Sequence, residues 1–172
     1  MTQLHGSQVV LTLMTEADVD AITAILAEPQ IAQWWGQWDR DRVAEEFTDP
    51  DLGVYVIRPL INDKPGPVIG SAQYFEELSP DFKHAGMDVF LDASYRGKGH
   101  GADVIRTLCR HLFYDRGHHR IVVDPDARNE TAIAAWKSVG FRQVGLMRMS
   151  QRGPDEQWHD SVMLEALKGE VS

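Results

Sequence analysis

The sequence predicts one α/β (α+β) domain over residues 1–172, with a mixed, mostly antiparallel sheet of about seven strands flanked by about four helices. Three observations predict this fold class. A chain of 172 residues has the length of one domain, and neither a repeat nor a long linker divides it. Apolar segments of strand length alternate with segments whose apolar residues recur at helical spacing. Short turns join several of the strand segments, which indicates antiparallel neighbours.

The N-terminal half alternates strands with helices. Thr15 is predicted to cap the first helix, because Asp18 follows at the spacing of a capping box, and Pro29 is predicted to end that helix. A break at Gly36 separates it from a second helix near Asp39–Phe47. The sequence NDKPGP, with its prolines and glycine, is predicted to be a turn after which the last strand of this half pairs with the strand before it. The predicted strands are 9–14, 54–58 and 68–75.

The C-terminal half centres on a strand that runs into the glycine-rich run RGKGHG. A helix from about Gly99 to Tyr114 follows, with an apolar stripe along one face. Asn129 is predicted to open another helix, and Gly140 is suited to cap its end. The predicted strands of this half are 86–92, 120–124, 141–149 and 158–165.

The run RGKGHG, residues 96–101, combines glycines with two fixed positive charges, in a chain whose formal net charge is -9. A strand, a glycine-rich turn and a helix N-terminus form an anion site, because the turn exposes backbone N–H groups and the helix dipole favours negative charge. Arg96 and Lys98 add positive charge there. The run therefore predicts a phosphate or pyrophosphate site; the alternative is a tight surface turn in which glycine supplies a positive φ.

Two common phosphate motifs do not match this run. Lys98 is followed by Gly99 rather than by Ser or Thr, so the Walker pattern fails. In the dinucleotide pattern the third glycine is expected one residue beyond Gly101, and this loop follows an internal strand rather than opening a run of βαβ units. A dinucleotide-binding protein is therefore the weaker alternative.

The run satisfies Arg/Gln-x-x-Gly-x-Gly/Ala and resembles the pyrophosphate loop of the acetyl-CoA-dependent N-acetyltransferases of the GNAT superfamily. Downstream, NETAIAAWKSVGF resembles the second signature of that family: an asparagine, an alanine-rich helix, an aromatic residue and Gly-Phe. The resemblance implies the GNAT fold, acetyl-CoA as the acetyl-donor cosubstrate, and a set of residues that bind it. These residues are Phe90, Leu91, Arg96, Gly97, Lys98, Gly99, His100, Gly101, Asn129 and Trp136.

The N-terminal half resembles the aminoglycoside 6′-N-acetyltransferases that carry WWG after the first helix, and the likeness continues through VIGSAQYF and VVDPDARNETAI. It implies a polycationic small-molecule amine as acceptor, held by carboxylates and flat aromatic surfaces. Asp88 is implied to lie beside the reacting amine, since an acid within an apolar strand is costly without a partner or a task. Trp35 is also the stronger candidate for core packing. The implied acceptor-binding residues are Trp34, Trp35, Tyr74, Asp88 and Asp124.

The resemblance further implies direct transfer in a ternary complex, with Asp88 as the catalytic base for the amine. Backbone N–H groups near Phe90–Leu91 are expected to polarise the thioester carbonyl. One residue departs from the family: Trp136 occupies the position of the usual tyrosine, and an indole N–H does not deliver a proton. A thiol with a pKa near ~8.5 leaves without a general acid, so water or Tyr95 is the expected proton source.

The composition, with 26 acidic residues against 17 Lys and Arg, argues against nucleic-acid or anionic-membrane binding and is compatible with a cationic substrate. No apolar run reaches the ~20 residues that span a bilayer, and the start, MTQLHGSQ, lacks the features of a secretory signal. A cytoplasmic protein with a buried Cys109 is expected. His111, His118 and His119 are expected at a solvated helix end, with His111 turned outward, and no metal site is predicted.

The acceptor has alternatives. A GNAT enzyme acting on a hydroxylated lysine of siderophore synthesis, on a polyamine or on a protein N-terminus shares much of this layout. A non-catalytic acyl-CoA sensor is the alternative from another class, because Trp136 replaces the tyrosine. Asp155 and Asp160 are candidates for the edge of the acceptor pocket, and the sequence does not choose between them. It also leaves open whether the protein is a monomer or a homodimer.

Overall fold

A computed structural model describes residues 3–47 and 52–172. Residues 1, 2 and 48–51, which the single-domain prediction also covers, lie outside the described residues. Within the described part of the chain, nine strands form one sheet in the order β1-β2-β3-β5-β6-β7-β9-β8, with β4 paired to β3. The strands are β1 (Gln3–His5), β2 (Val9–Leu13), β3 (Gly53–Ile61), β4 (Lys64–Pro65), β5 (Gly70–Glu77), β6 (His84–Leu91), β7 (Arg120–Val123), β8 (Arg142–Arg152) and β9 (Trp158–Leu167).

Two of these strands were not predicted. The three residues of β1 are too few to show an alternating pattern, and they pair with β2. The two residues of β4 lie inside the predicted NDKPGP turn and pair back onto β3. The other seven strands correspond to predicted segments, and the mixed, mostly antiparallel sheet is confirmed.

Helices cover both faces of this sheet. In the described residues there are five α-helices, and two separate apolar clusters join them to the strands. The first three helices pack on one face against Val54, Val56 and Phe90, whereas the last two pack on the other face against residues such as Met87 and Leu91. The helices are α1 (Val19–Leu26), α2 (Pro29–Trp35), α3 (Arg40–Glu46), α4 (His100–Arg110) and α5 (Glu130–Ser138).

Local capping signals account for most helix boundaries. Thr15 and Asp18 form the predicted capping box around a short 3₁₀ turn that leads into α1. Asp39 accepts a hydrogen bond from the backbone N–H of Arg42 and caps α3. The first helix ends before Pro29, as predicted, but Pro29 also begins a further helix. It occupies the first turn of α2, where backbone N–H groups have no intrahelical acceptor, so proline loses no hydrogen bond there.

The expected solvated helix end after α4 is wrong for His111 and His118, whereas His119 is exposed as expected. Residues His111–Asp115 continue α4 as a wider π-helical turn, and this turn directs His111 towards the sheet. His111 is buried against the rings of Tyr55 and Tyr74. His118 is buried too, because Glu76 of β5 provides a partner for its Nε2 atom at 2.6 Å. Cys109 lies in the core as predicted.

The strand pair β6 and β7 prepares the site. It is the parallel neighbour pair of the sheet, and its recorded pairing covers Ala85 with Ile121 and Gly86 with Val122. Beyond these residues the two strands diverge, so the end of β6 and the residues after β7 face a gap in the sheet. Cavities at the carboxyl ends of parallel strands are a recurrent place for ligands.

Candidate active site

Two adjoining cavities occupy the gap between β6 and β7. The larger, about 720 Å³, is lined by the end of β6, the loop 96–101, α2, and the first turns of α4 and α5; we call it the glycine-loop groove. The smaller, about 270 Å³, contains the carboxylates of Asp88, Asp124 and Asp126; we call it the carboxylate pocket. Residues that line both cavities mark their junction. They are Trp34, Trp35, Val89, Asn129, Ala132 and Trp136.

The loop itself has the backbone of an anion cradle. Gly97 and Gly99 have φ angles of +72° and +88°, in the left-handed region that side chains with a Cβ rarely adopt, and Gly99 caps the N-terminus of α4. Arg96 lines the groove and donates from Nε to the carbonyl oxygen of Leu91 at 3.1 Å, which ties the loop to the end of β6. Backbone N–H groups, the dipole of α4 and a guanidinium thus meet in the groove.

The structure brings four of the six predicted loop residues to the groove: Arg96, Gly97, Gly99 and Gly101. The side chains of Lys98 and His100 turn towards Tyr95 instead. The Nζ atom of Lys98 is 5.5 Å from the Tyr95 ring centroid, and Nδ1 of His100 is 3.2 Å from the Tyr95 carbonyl oxygen. Tyr95 is absent from the described lining of both cavities, so the structure does not support it as a proton source.

The backbone at the end of β6 presents N–H groups to the gap. The N–H of Asp92 bonds to the carbonyl of Ile69 at 2.8 Å, on the β5 side, and N–H direction alternates along a strand. The N–H groups of Val89 and Leu91 therefore point into the gap, whereas that of Phe90 points to β5. This corrects the predicted Phe90–Leu91 pair: Leu91 has the expected direction, and Val89 is the second donor. Phe90 still lines the groove.

Asn129 and Trp136 both lie on α5 at the junction of the cavities. The Oδ1 atom of Asn129 accepts from the backbone N–H of Ala132 at 3.1 Å, so this side chain caps the helix whose first turn lines the groove. Trp136 is buried, with its ring edge-on to Phe141 at 5.1 Å between centroids. The tyrosine position of the family resemblance therefore holds a packed indole here.

Asp88 lies in the carboxylate pocket, and its side chain is accessible from the cavity. On its other sides the carboxylate is surrounded by protein rather than by bulk water. This burial raises the pKa of Asp88 above its ordinary value. A hydrogen bond from Nε2 of Gln73, at 3.4 Å, opposes the rise, and the charge of Asp124 adds to it. Burial also raises the pKa of Asp124. The pocket thus contains two carboxylates that are stronger bases than free aspartate.

The tryptophans of the WWG segment divide their roles. The ring of Trp35 contacts Phe90 at 4.9 Å and Phe47 at 6.4 Å between centroids, so one face of it belongs to the core under α1–α3. Trp34 is half-buried at the junction, 5.9 Å from the guanidinium carbon of Arg128. Its ring is the better placed of the two to contact a bound molecule.

Tyr74 is not brought to the site. It pairs with Met87, and its ring lies against Tyr55 and His111 on the sheet face that α4 covers. The neighbouring residue, Gln73, is the one opposite Asp88. Successive side chains of a strand point to opposite faces, so a position off by one residue moves the side chain to the other side of the sheet.

The sequence analysis missed three further residues: Asp126 and Gln151 of the carboxylate pocket and Arg128 of the glycine-loop groove. Arg128 donates to both oxygens of Asp126, at 2.9 and 2.7 Å, and its guanidinium lowers the pKa of that carboxyl. Gln151 donates to Asp126 from β8 at 3.4 Å. The run DPDARN carried a local signal for the Asp126–Arg128 pair, but no local signal indicated Gln151.

The two acids of the C-terminal hairpin have other partners. Asp160 accepts from the backbone N–H of Met149 at 2.8 Å, and Asp155 pairs with Nε2 of His159 at 2.8 Å. Neither is among the described residues that line the carboxylate pocket. A search of the described residues for three or more His, Cys, Asp or Glu side chains able to hold a metal ion found no such group.

Comparison with known proteins decides the family. The family model described as acetyltransferase (GNAT) domain matches residues 14–149. The chain belongs to the GNAT acetyltransferase family. The loop 96–101 and the helix that Asn129 caps thus have the places in the GNAT fold that the resemblance implied.

Among its relatives, this GNAT protein is 31% identical over 158 residues to the aminoglycoside N(6′)-acetyltransferase type 1 of Klebsiella pneumoniae, covering 83% of this chain and 78% of that one. It is 28% identical, with a TM-score of 0.74, to the crystal structure of the aminoglycoside acetyltransferase AAC(6′)-Ib in complex with coenzyme A and kanamycin, covering 93% of this chain and 95% of that one. A shorter match, 32% over 74 residues, covers 43% of this chain and 44% of the N-alpha-acetyltransferase RimI of Mycobacterium tuberculosis.

The glycine-loop groove combines several features that suit an anionic ligand. Gly97 and Gly99 have positive φ angles, Arg96 supplies positive charge, and Val89 and Leu91 direct N–H groups into the gap. None of the described helices is long and apolar enough to cross a membrane.

Proposed function

We propose that this protein is an acetyl-CoA-dependent N-acetyltransferase that acetylates the 6′-amine of aminoglycosides. The observation that carries the proposal is the pair Asp88 and Asp124. Both carboxylates have raised pKa values, and both lie in a pocket that opens into the glycine-loop groove. A donor cavity suited to a pyrophosphate and an acceptor cavity suited to a cation therefore meet at one junction.

Charge and shape favour a cationic sugar as the acceptor. Ammonium groups stabilise the two carboxylates in this small cavity, since burial disfavours the charge of both and the charge of Asp124 further disfavours that of Asp88. The ring of Trp34 offers a flat surface for cation–π contact with a further ammonium group. The pocket of about 270 Å³ is below the usual size of a site for a whole drug-sized ligand, so it accommodates one ring of a larger acceptor.

The residues of the junction have separate roles in the proposed reaction. Acetyl-CoA supplies a thioester whose carbonyl carbon the amine attacks. Asp88 accepts the proton of the ammonium group, and its raised pKa makes it a better base. The N–H groups of Val89 and Leu91 stabilise negative charge on the carbonyl oxygen. Trp136 closes the junction towards the core, and solvent protonates the departing thiolate.

The relatives support the same acceptor. A protein named for N(6′) acetylation of aminoglycosides is 31% identical over most of both chains. A solved relative with the same fold and 28% identity is a complex with coenzyme A and kanamycin. Under the proposal, the two cavities of this protein hold the corresponding pair of ligands.

The test is thiol release from acetyl-CoA with neomycin and with paromomycin, which differ in having an amine or a hydroxyl at the 6′ position. Lysine, N6-hydroxylysine, spermidine and a short peptide are tested in parallel. We expect rapid release with neomycin and little with paromomycin, together with a monoacetylated product by mass spectrometry. Equal release with both compounds would place acetylation at another amine. Release only with a lysine derivative, spermidine or the peptide would refute the aminoglycoside proposal, and acetyl-CoA binding without release for any amine would indicate a sensor.

A further inference from the structure

The inference concerns the wall of the carboxylate pocket opposite Asp88, which Asp126 and Gln151 form. It deepens the proposed function and rests on it. Nothing local in the sequence marks Gln151, which reaches the pocket from the edge strand β8. Three features of this wall, namely a saturated carboxylate, an irregular strand and an oriented amide, determine what it can recognise.

The carboxylate of Asp126 is already fully used by the protein. Its Oδ1 atom accepts from the backbone N–H of Arg128 at 2.8 Å and from Nε of the same residue at 2.9 Å. Its Oδ2 atom accepts from Nη2 of Arg128 at 2.7 Å and from Nε2 of Gln151 at 3.4 Å. A carboxylate has about four acceptor positions, so these four hydrogen bonds leave no strong one for a substrate ammonium. The Arg128 charge also neutralises it.

An irregularity in β8 delivers Gln151 to this carboxylate. Between the pairs Met147–Ser161 and Gln151–His159, three residues of β8 (148–150) face the single residue Asp160 of β9. Met149 takes up the excess with a φ of +49°, and its N–H bonds to Asp160 at 2.8 Å. Bulges of this kind re-aim side chains next to active sites. Here the bulge brings Gln151 into the pocket lining.

The contact with Asp126 therefore turns the NH₂ end of the Gln151 amide towards that carboxylate. One N–H is directed at Asp126, and within the described residues its oxygen and second N–H have no other hydrogen-bond partner. A neutral group that offers both an acceptor and a donor matches a hydroxyl, which donates and accepts at once. An ammonium group matches only the oxygen, and an alkyl chain matches neither.

We propose that Gln151, oriented by Asp126 and Arg128, is a specificity residue that hydrogen-bonds a hydroxyl on the sugar ring carrying the acetylated amine. The size of the pocket limits it to that ring. The acceptor site then has two different walls: charged carboxylates at Asp88 and Asp124 for ammonium groups, and a neutral amide for a hydroxyl. A pocket built to bond a hydroxyl discriminates against an analogue that lacks it, since the amide is left unpaired.

The experiment compares kanamycin B, tobramycin and dibekacin, which successively lose the 3′-hydroxyl and then the 4′-hydroxyl of the ring with the 6′-amine. We expect wild-type kcat/KM to fall by between about twofold and tenfold at the step that removes the bonded hydroxyl. In Gln151→Met, which keeps the length of the side chain without its polar groups, the three compounds become equal. The control is Gln143→Met, an exposed residue of the same strand that bonds to Lys137.

The outcomes separate this inference from the function it rests on. Failure to acetylate kanamycin B would refute the proposed function and the inference with it. Equal wild-type kcat/KM for all three compounds would refute the inference alone. A Gln151→Met variant that loses activity equally on all three compounds would show a structural role and would also refute it. Undiminished activity of Gln151→Met on dibekacin shows that the variant folds.

Discussion

Asp124 and Asp126 follow β7 within three residues of one another, yet their surroundings shift the pKa of each in opposite directions. Burial raises the pKa of Asp124, which faces the open pocket. The Arg128 guanidinium lowers the pKa of Asp126, which it holds with two hydrogen bonds. The comparison shows that an acidic residue does not bind a ligand merely because it lines a pocket. A carboxylate that is not paired with a protein cation is available to a substrate cation, whereas a saturated one positions its neighbours.

The largest expected effect concerns Asp88, which shares the raised pKa of Asp124. Asp88→Asn removes the proposed base without changing the shape of the side chain, so we expect kcat to fall by about 10²–10⁴-fold. Thiol release at saturating neomycin measures this. Asp81→Asn, in the exposed loop before β6, is the matched control. A loss smaller than tenfold in Asp88→Asn would mean that another group accepts the proton.

The second prediction concerns stability and has opposite signs for the two acids. Asp126→Asn weakens a charge-assisted network, so we expect the melting temperature at neutral pH to fall by roughly 2–8 °C. Asp124→Asn removes a charge that burial disfavours, so we expect the melting temperature to rise by a smaller amount. Differential scanning calorimetry of both variants without ligand measures the two shifts. Shifts of the same sign would mean that the two environments are alike.

The pH dependence of these shifts is the control. A raised pKa in the folded state means that wild type gains stability relative to Asp124→Asn as the pH falls, because burial disfavours the charged carboxylate but not the neutral acid. The advantage of Asp124→Asn therefore disappears near the ordinary pKa of aspartate. A lowered pKa means that the contribution of Asp126 persists through that range and is lost only in stronger acid. Calorimetry at several pH values between neutral and acid distinguishes the two.

The smallest expected effect comes from converting one environment into the other. Arg128→Met removes the cation from Asp126 and leaves a carboxylate that resembles Asp124. We expect KM for a polycationic aminoglycoside to fall by about two- to fivefold at low ionic strength, because the pocket becomes more anionic. Initial-rate measurements at low and high salt test this, since salt screens the added attraction. An unchanged KM at low salt would contradict the idea that Arg128 neutralises this wall.

Local sequence patterns predicted the strand–loop–helix unit and the capped helix that border the groove. The glycine run sits between β6 and α4, and Asn129 caps α5, because positive φ angles and helix caps depend on a few adjacent residues. The acceptor side was predicted only in part. The register of β5 against β6 exchanged Tyr74 for Gln73 beside Asp88, and neither register nor side-chain direction is a property of one strand alone.

The sequence by itself determined the family, the strand–loop–helix unit of the groove and the acid at position 88, since each depends on residues that are adjacent in the sequence. The tertiary structure decided which carboxylates are available. Arg128 bonds to Asp126 from only two residues along the chain, but Gln151 completes the set of partners only because a bulge in β8 turns it into the pocket. Availability of a polar group depends on hydrogen-bond partners, and Gln151, 25 residues from Asp126 in the chain, becomes its partner only in the folded protein.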